Sequence, residues 1–224
     1  PVVSPLQTNF TLGILVDRTT SIPNVEVITR YAEAKITQYC NQSDLPYSFS
    51  FDVKTAEGQA SKALEQVQVW DEEGVHLVVG PPWSSMFCVC RSYANDNGML
   101  MFSQESTSPL LTVDDNGFRL TVSDFKEVQI LVELLKSRGI DSIFIIQGGN
   151  AWADGLANEI DRLFEGEIEL LRYASETTDF TGHMNLALQK LSKLSGENKA
   201  VVGLSFDELT QVMNATTGYP ELTS

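Results

Sequence analysis

The stretch GPPWSSMF (80–87) follows an apolar run of Val75, Leu77, Val78 and Val79, and sets Trp83, Ser84 and Ser85 at the mouth of a predicted helix. A second apolar run, 99–104, is followed by Ser106, Thr107 and Ser108, with Pro109 suited to a helix's first turn. Hydroxyls beside the free amides of a helix start form a neutral trap for an anion, a carboxylate above all. Helix capping alone accounts for either cluster, but two of them on successive strands point to a binding site. In the second half Asn150 and Trp152 occupy the equivalent turn after 141–147. There the indole either stacks over a ligand or fills a core.

Other chemistries find less support. The sequence has no GxxxxGK[ST] phosphate loop, no GxGxxG and no GxSxG nucleophile elbow. The glycines of QGGNAWADG (147–155) are wrongly spaced for a dinucleotide fingerprint, so no cofactor is expected. His76 falls inside a predicted strand, and His183 pairs with Asp179 four residues earlier on a helix face. Neither lies in a strand-end turn, so a hydrolase built on Ser84 lacks its base. With three cysteines, two histidines and no CxxC, no metal site is expected. Cys40 ends one predicted helix and Cys88 and Cys90 lie on another. A disulfide from Cys40 to Cys88 or Cys90 and three buried free thiols both stay open. The acids at 71–73 and 114–115 read as solvated turns.

These residues need a frame that brings strand ends together. Apolar, β-rich segments at 10–16, 47–53, 75–80, 99–104, 117–122, 141–147, 168–174 and 199–206 alternate with amphipathic stretches. The predicted helices are 23–40, 57–73, 84–96, 124–138, 151–165, 180–194 and 207–216. Such alternation implies α/β architecture, with parallel sheets covered by helices on both faces. Right-handed crossovers then gather the carboxyl ends of the strands on one edge, where ligands of open α/β sheets bind. The long helix fails to appear between 104 and 124, which divides the chain into two α/β lobes, 1–121 and 122–224.

Composition narrows the partners. A net charge of −15 over 224 residues disfavours nucleic acid and acidic membranes, both of which select basic patches. No apolar run approaches the roughly 18–20 residues that span a bilayer. The polar, proline-containing 1–9 reads as a leader or tether left after a signal peptide is removed.

The run GPPWSSMFCVCRSYANDNGMLMFSQESTSPLLT (80–112) resembles the type I periplasmic binding proteins of the leucine/isoleucine/valine kind, and the related ligand-binding domains of extracellular receptors. GILV (13–16), DSIFIIQGGNAWADGLANEI (141–160) and TTDFTGHMNLALQKL (177–191) extend the resemblance over most of 10–216. It implies two α/β lobes closing on a small solute in a cleft, outside the cytoplasm and without catalysis, for a membrane transporter or a sensor to read. Carried over by position, Ser84, Ser106 and Thr107 hold a carboxylate, Ser85 supports them, Trp152 faces the ligand, and Trp83 lines the rim. The ligand so implied is an amino acid or a similar small carboxylate. Glu105 departs from the family's small residue, and Trp152 stands where tyrosine is common. The family's return segment to the first lobe is missing, which predicts an exposed apolar sheet and, with it, a homodimer, strand exchange or a partner chain. A non-catalytic receptor-partner module with a vestigial cleft, and less readily a flavodoxin-like or hydrolase-type enzyme, are the alternatives.

Overall fold

The computed structural model describes residues 8–219. Eight strands and seven helices alternate among them: β1 (Thr8–Val16), α1 (Ile22–Gln42), β2 (Tyr47–Thr55), α2 (Ala60–Glu72), β3 (Leu77–Val79), α3 (Ser84–Asp96), β4 (Leu100–Ser103), β5 (Gly117–Arg119), α4 (Phe125–Ser137), β6 (Ser142–Gly148), α5 (Ala151–Leu163), β7 (Glu167–Tyr173), α6 (Thr181–Leu191), β8 (Lys199–Leu204) and α7 (Leu209–Thr216). Every predicted element is present, with ends shifted by a few residues. Where the sequence predicts a break, 104–124 holds only β5 and a short 3-10 turn, Pro109–Leu111.

The chain forms two compact units. One comprises the residues up to Thr107 together with Val113–Val122; the other comprises Ser108–Thr112 and everything described from Ser123 onward. Segment 108–112, expected in the first lobe, therefore belongs to the second unit. The physical reason is a close approach at Gly155 of α5. A β-carbon there would lie 2.3 Å from Ser108 Oγ and 3.1 Å from Pro109 Cδ. Ser108 Oγ also donates to the Ala151 carbonyl at 2.8 Å, so the segment is fastened to the start of α5.

In the first unit five parallel strands run in the order β2-β1-β3-β4-β5. The chain steps one way from β1 to β2 and the other way thereafter. Right-handed crossovers thus put α1 on one face and α2 and α3 on the other. Ala63, Val67 and Trp70 of α2, and Met86, Phe87, Cys90 and Ala94 of α3, are buried at helical spacing. This arrangement corrects the cysteine pairing. Cys40 is buried at the end of α1 and Cys90 is buried on α3, on the opposite face of the sheet, and all three cysteines are free thiols. Burial pushes the Cys90 thiol up to about 12. Leu100, Phe118, Leu120 and Val122 stay exposed at the β4–β5 side.

In the second unit three parallel strands run in the order β7-β6-β8. Every residue of β6 is buried, as befits a central parallel strand. Its side chains alternate between two cores. Ile143 and Ile145 pack with Val128, Val132 and Leu135 of α4 and with Leu156 and Ile160 of α5. Phe144 and Ile146 pack with Leu171, Tyr173, Phe180, Met184 and Val212.

Two smaller expectations change. Thr8 and Asn9, assigned to a leader, already belong to β1, and the rest of that leader lies outside the described residues. The acid pair at 114–115 is no solvated turn: Asp115 binds the Arg91 guanidinium at 3.0 Å and the Gly117 amide at 2.8 Å. The two ion-pair partners are largely buried, which locks the β4–β5 connection onto α3.

Candidate functional site

All five strands of the first unit end on one edge, and the loops there carry the hydroxyl clusters. β3 and β4 are neighbours, with Val79 opposite Phe102, so loops 80–83 and 104–108 leave adjacent strands. Gly80 is the pivot of the first loop. Its φ of +100° and the Leu15 carbonyl oxygen, 2.2 Å from where a β-carbon would stand, exclude any side chain. The Gly80–Pro81 peptide bond is cis.

The two loops are bonded to each other. Ser103, the last residue of β4, donates to the Pro81 carbonyl at 3.0 Å and lies 2.7 Å from Ser106 Oγ. Ser106 Oγ donates to the Pro82 carbonyl at 2.8 Å, and its amide binds Ser103 Oγ at 3.1 Å. Ser103 and Ser106 are both fully buried. Ser106 thus acts here as the tie that shapes the 80–83 loop. Thr107 is half-buried; its carbonyl accepts from Arg119 at 3.3 Å, while its hydroxyl has no hydrogen bond among the described residues.

Capping takes a different form from the one the sequence suggests. The N-cap of α3 is Trp83, with extended backbone angles, and no cap side chain bonds its first amides. Ser84, buried, and Ser85, half-buried, ride in the first turn instead. Trp83 itself is 40% exposed. The edge of its ring lies 3.4 Å from where a Gly58 β-carbon would stand. The Arg18 guanidinium lies over the indole at 5.6 Å. Arg18, in the turn after β1, escaped the sequence reading, although it is a cation two residues past a predicted strand in a strongly acidic chain. Nearby, Thr19 hydrogen-bonds Glu57, and Ser21 donates to Asp17 at 3.1 Å. Glu105 is exposed.

On the second unit's strand-end edge, Asn150 caps α5, accepting from the Trp152 and Ala153 amides at 3.1 and 3.0 Å. Trp152 is half-buried. Its indole N–H donates to Asp124 at 2.7 Å and its ring packs on Phe206 at 4.4 Å. Asp154 accepts from Gln147 at 2.7 Å and from the Arg172 fork at 2.8 and 3.0 Å. Tyr173 is buried, its hydroxyl bonded to that of Ser205, and burial holds its phenol above the usual range. Of the two histidines, His183 lies near the second edge, its ring 6.4 Å from that of Tyr173 at the end of β7. His76 precedes β3 and faces Asp71 at 3.2 Å, and His183 sits on α6 beside Phe180. Among the described residues no group of histidines, cysteines and acids could hold a metal.

The model of the family described as periplasmic binding proteins matches residues 50–207. The chain belongs to the periplasmic binding protein family. An uncharacterised protein of Methanocaldococcus jannaschii is 22% identical over 218 residues, covering 91% of this chain and 52% of that protein. The branched-chain amino-acid transporter substrate-binding protein LivJ of Streptococcus pneumoniae, solved with isoleucine, superposes with a TM-score of 0.63 at 18% identity, covering 94% of this chain and 61% of that one. A solute-binding protein of an ABC transporter from R. palustris, solved with 4-hydroxybenzoate, gives 0.66 at 12% identity, covering 96% and 60%. At such identities the likeness is one of fold. This periplasmic binding protein spans between half and two thirds of the length of those relatives. No helix among its described residues is long and apolar enough to cross a membrane.

Proposed function

We propose that the chain binds a small carboxylate solute at the strand-end edge of its first unit, outside the cytoplasm, and presents it to a membrane transporter or a sensor without catalysis. One observation carries this reading. The first turn of α3, with Ser84 and Ser85, and the unbonded hydroxyl of Thr107 leave adjacent strands through loops that Ser106 ties together. Helix-start amides flanked by hydroxyls attract an anion without bringing a formal charge. Trp83 is a lining candidate at that edge, and Trp152 is a ligand-facing candidate of the second unit's own strand-end edge. Isoleucine and 4-hydroxybenzoate, held by two proteins of this fold, are both carboxylates.

A thermal-shift screen of amino acids and small carboxylates, followed by calorimetry on Ser84→Ala and Thr107→Ala, tests the assignment. Each substitution is expected to weaken binding of a solute that raises the wild-type melting temperature. Affinity unchanged by both would remove these residues from the site. A second reading, a receptor-partner module that takes no solute, draws on the exposed Phe118, Leu120 and Val122. It gains ground if the whole screen is silent.

A further inference from the structure

We infer that Arg18, seated on the indole of Trp83, recognises the anionic group of the solute and selects acids that carry no ammonium group over zwitterionic amino acids. This rests on the solute-binding reading above and names the ligand class of that same edge. Four observations converge on it. The guanidinium carbon lies over the Trp83 ring, 5.6 Å from its centre, within cation–π range. The indole beneath it is held in turn, because it packs against Gly58 and its own backbone begins α3, with the Phe87 amide bonded to the Trp83 carbonyl at 2.9 Å. A guanidinium with an aromatic face beneath it loses less freedom when a carboxylate arrives than one in open solvent.

Next, the fork is open. Its closest acid is Asp17, 3.8 Å from Nε, and one oxygen of Asp17 already accepts from Ser21. No hydrogen bond fills the guanidinium among the described residues, and the side chain is 60% exposed. Third, charge makes the placement meaningful. In a chain of net charge −15, an anion is repelled on approach unless a cation meets it. Arg18 supplies that cation at a strand end, two residues past β1 and next to Asp17. Fourth, Ser84 and Ser85 follow Trp83 directly, so charge and neutral donors come from neighbouring loops of one sheet edge. An ammonium group on the ligand would face this guanidinium, whose neighbouring carboxylate, Asp17, is shared with Ser21. A carboxylate alone would not.

Calorimetric titration of the whole chain with two probes of one skeleton, leucine and 4-methylpentanoate, tests this. The probes differ only in the ammonium group. The wild type is expected to bind 4-methylpentanoate at least tenfold more tightly than leucine. Arg18→Gln should abolish that preference, Trp83→Leu should reduce it, and Arg18→Lys should retain only part of it. Melting temperatures of the Arg18 variants without ligand should match the wild type, since the side chain is exposed. Leucine binding as tightly as the acid, or a preference that survives Arg18→Gln, overturns the inference and leaves solute binding intact. If neither probe binds, a panel of other acids and amino acids decides. Acid binding that Arg18→Gln weakens tenfold supports the inference, acid binding it leaves unchanged overturns it, and a silent panel sinks solute binding and this inference together.

Discussion

Ser106→Ala separates a residue that touches solute from one that shapes the site. The substitution deletes a hydroxyl that donates to the Pro82 carbonyl at 2.8 Å and meets Ser103 Oγ at 2.7 Å. Ser103 keeps its alternative acceptor, the Pro81 carbonyl at 3.0 Å. The Pro82 carbonyl, on a buried residue, loses its donor. Leaving one buried acceptor unsatisfied costs about 1–3 kcal/mol. With a urea slope of roughly 2 kcal/mol/M, the middle of that range lowers the first unit's midpoint by about 1 M. Trp70 and Trp83 both lie in that unit, so urea melts followed by tryptophan fluorescence in a Trp152→Phe background report it. Thr107→Val is the control, because its hydroxyl has no partner to lose; its midpoint should shift by less than the equivalent of ~0.5 kcal/mol. Its solute affinity should nonetheless fall. A Ser106→Ala protein with the wild-type midpoint would refute the assignment of Ser106 as the tie, and weakened binding in that same protein would return it to the ligand.

Two further predictions concern the second unit. Gly155→Ala should lower its melting temperature, although alanine is the better helix former by about 1 kcal/mol, because the new methyl lands 2.3 Å from Ser108 Oγ. Adding Ser108→Gly should recover part of the loss, and a Gly155→Ala protein that melts higher than wild type would contradict the packing. Glu167 accepts from both the hydroxyl and the amide of Ser195, and these bonds hold its carboxyl below the ordinary range. A depressed folded-state value stabilises above the unfolded value and loses that contribution as pH falls through the folded one. Glu167→Gln should therefore melt below wild type at neutral pH. The gap should close as pH drops from the ordinary glutamate value of about 4.3 toward the lowered one; a gap constant across that window would be evidence against the shift.

The architecture was readable from period and punctuation. Stretches such as SIFIIQG and the Val128, Val132, Leu135 spacing leave little freedom in choosing strand or helix. Hydroxyls at strand ends located the candidate edge for the same reason, since topology alone sends those ends to one side. Individual roles were less legible. Nothing in the local sequence says that Ser106 bonds backward to Pro82, because that partner belongs to another strand's loop. Arg18 meets Trp83 across 65 positions of sequence, and Asp124 meets Trp152 across 28. Cys40 and Cys90 fail to pair because of which face each helix takes, a property of strand order rather than of spacing.

The fastening of 108–112 onto α5 bears on how the chain can be cut and how it matures. A fragment beginning at Ser123 would carry Gly155 without Ser108, Pro109 and Leu110 against it and an Ala151 carbonyl without the Ser108 donor. A fragment ending at Val122 would carry away the strap that grips α5. On a ribosome, the strap emerges some forty residues before the helix it grips. The second unit therefore has to reach back for a piece of chain synthesised with the first, and neither half is a self-contained product of one stretch of message.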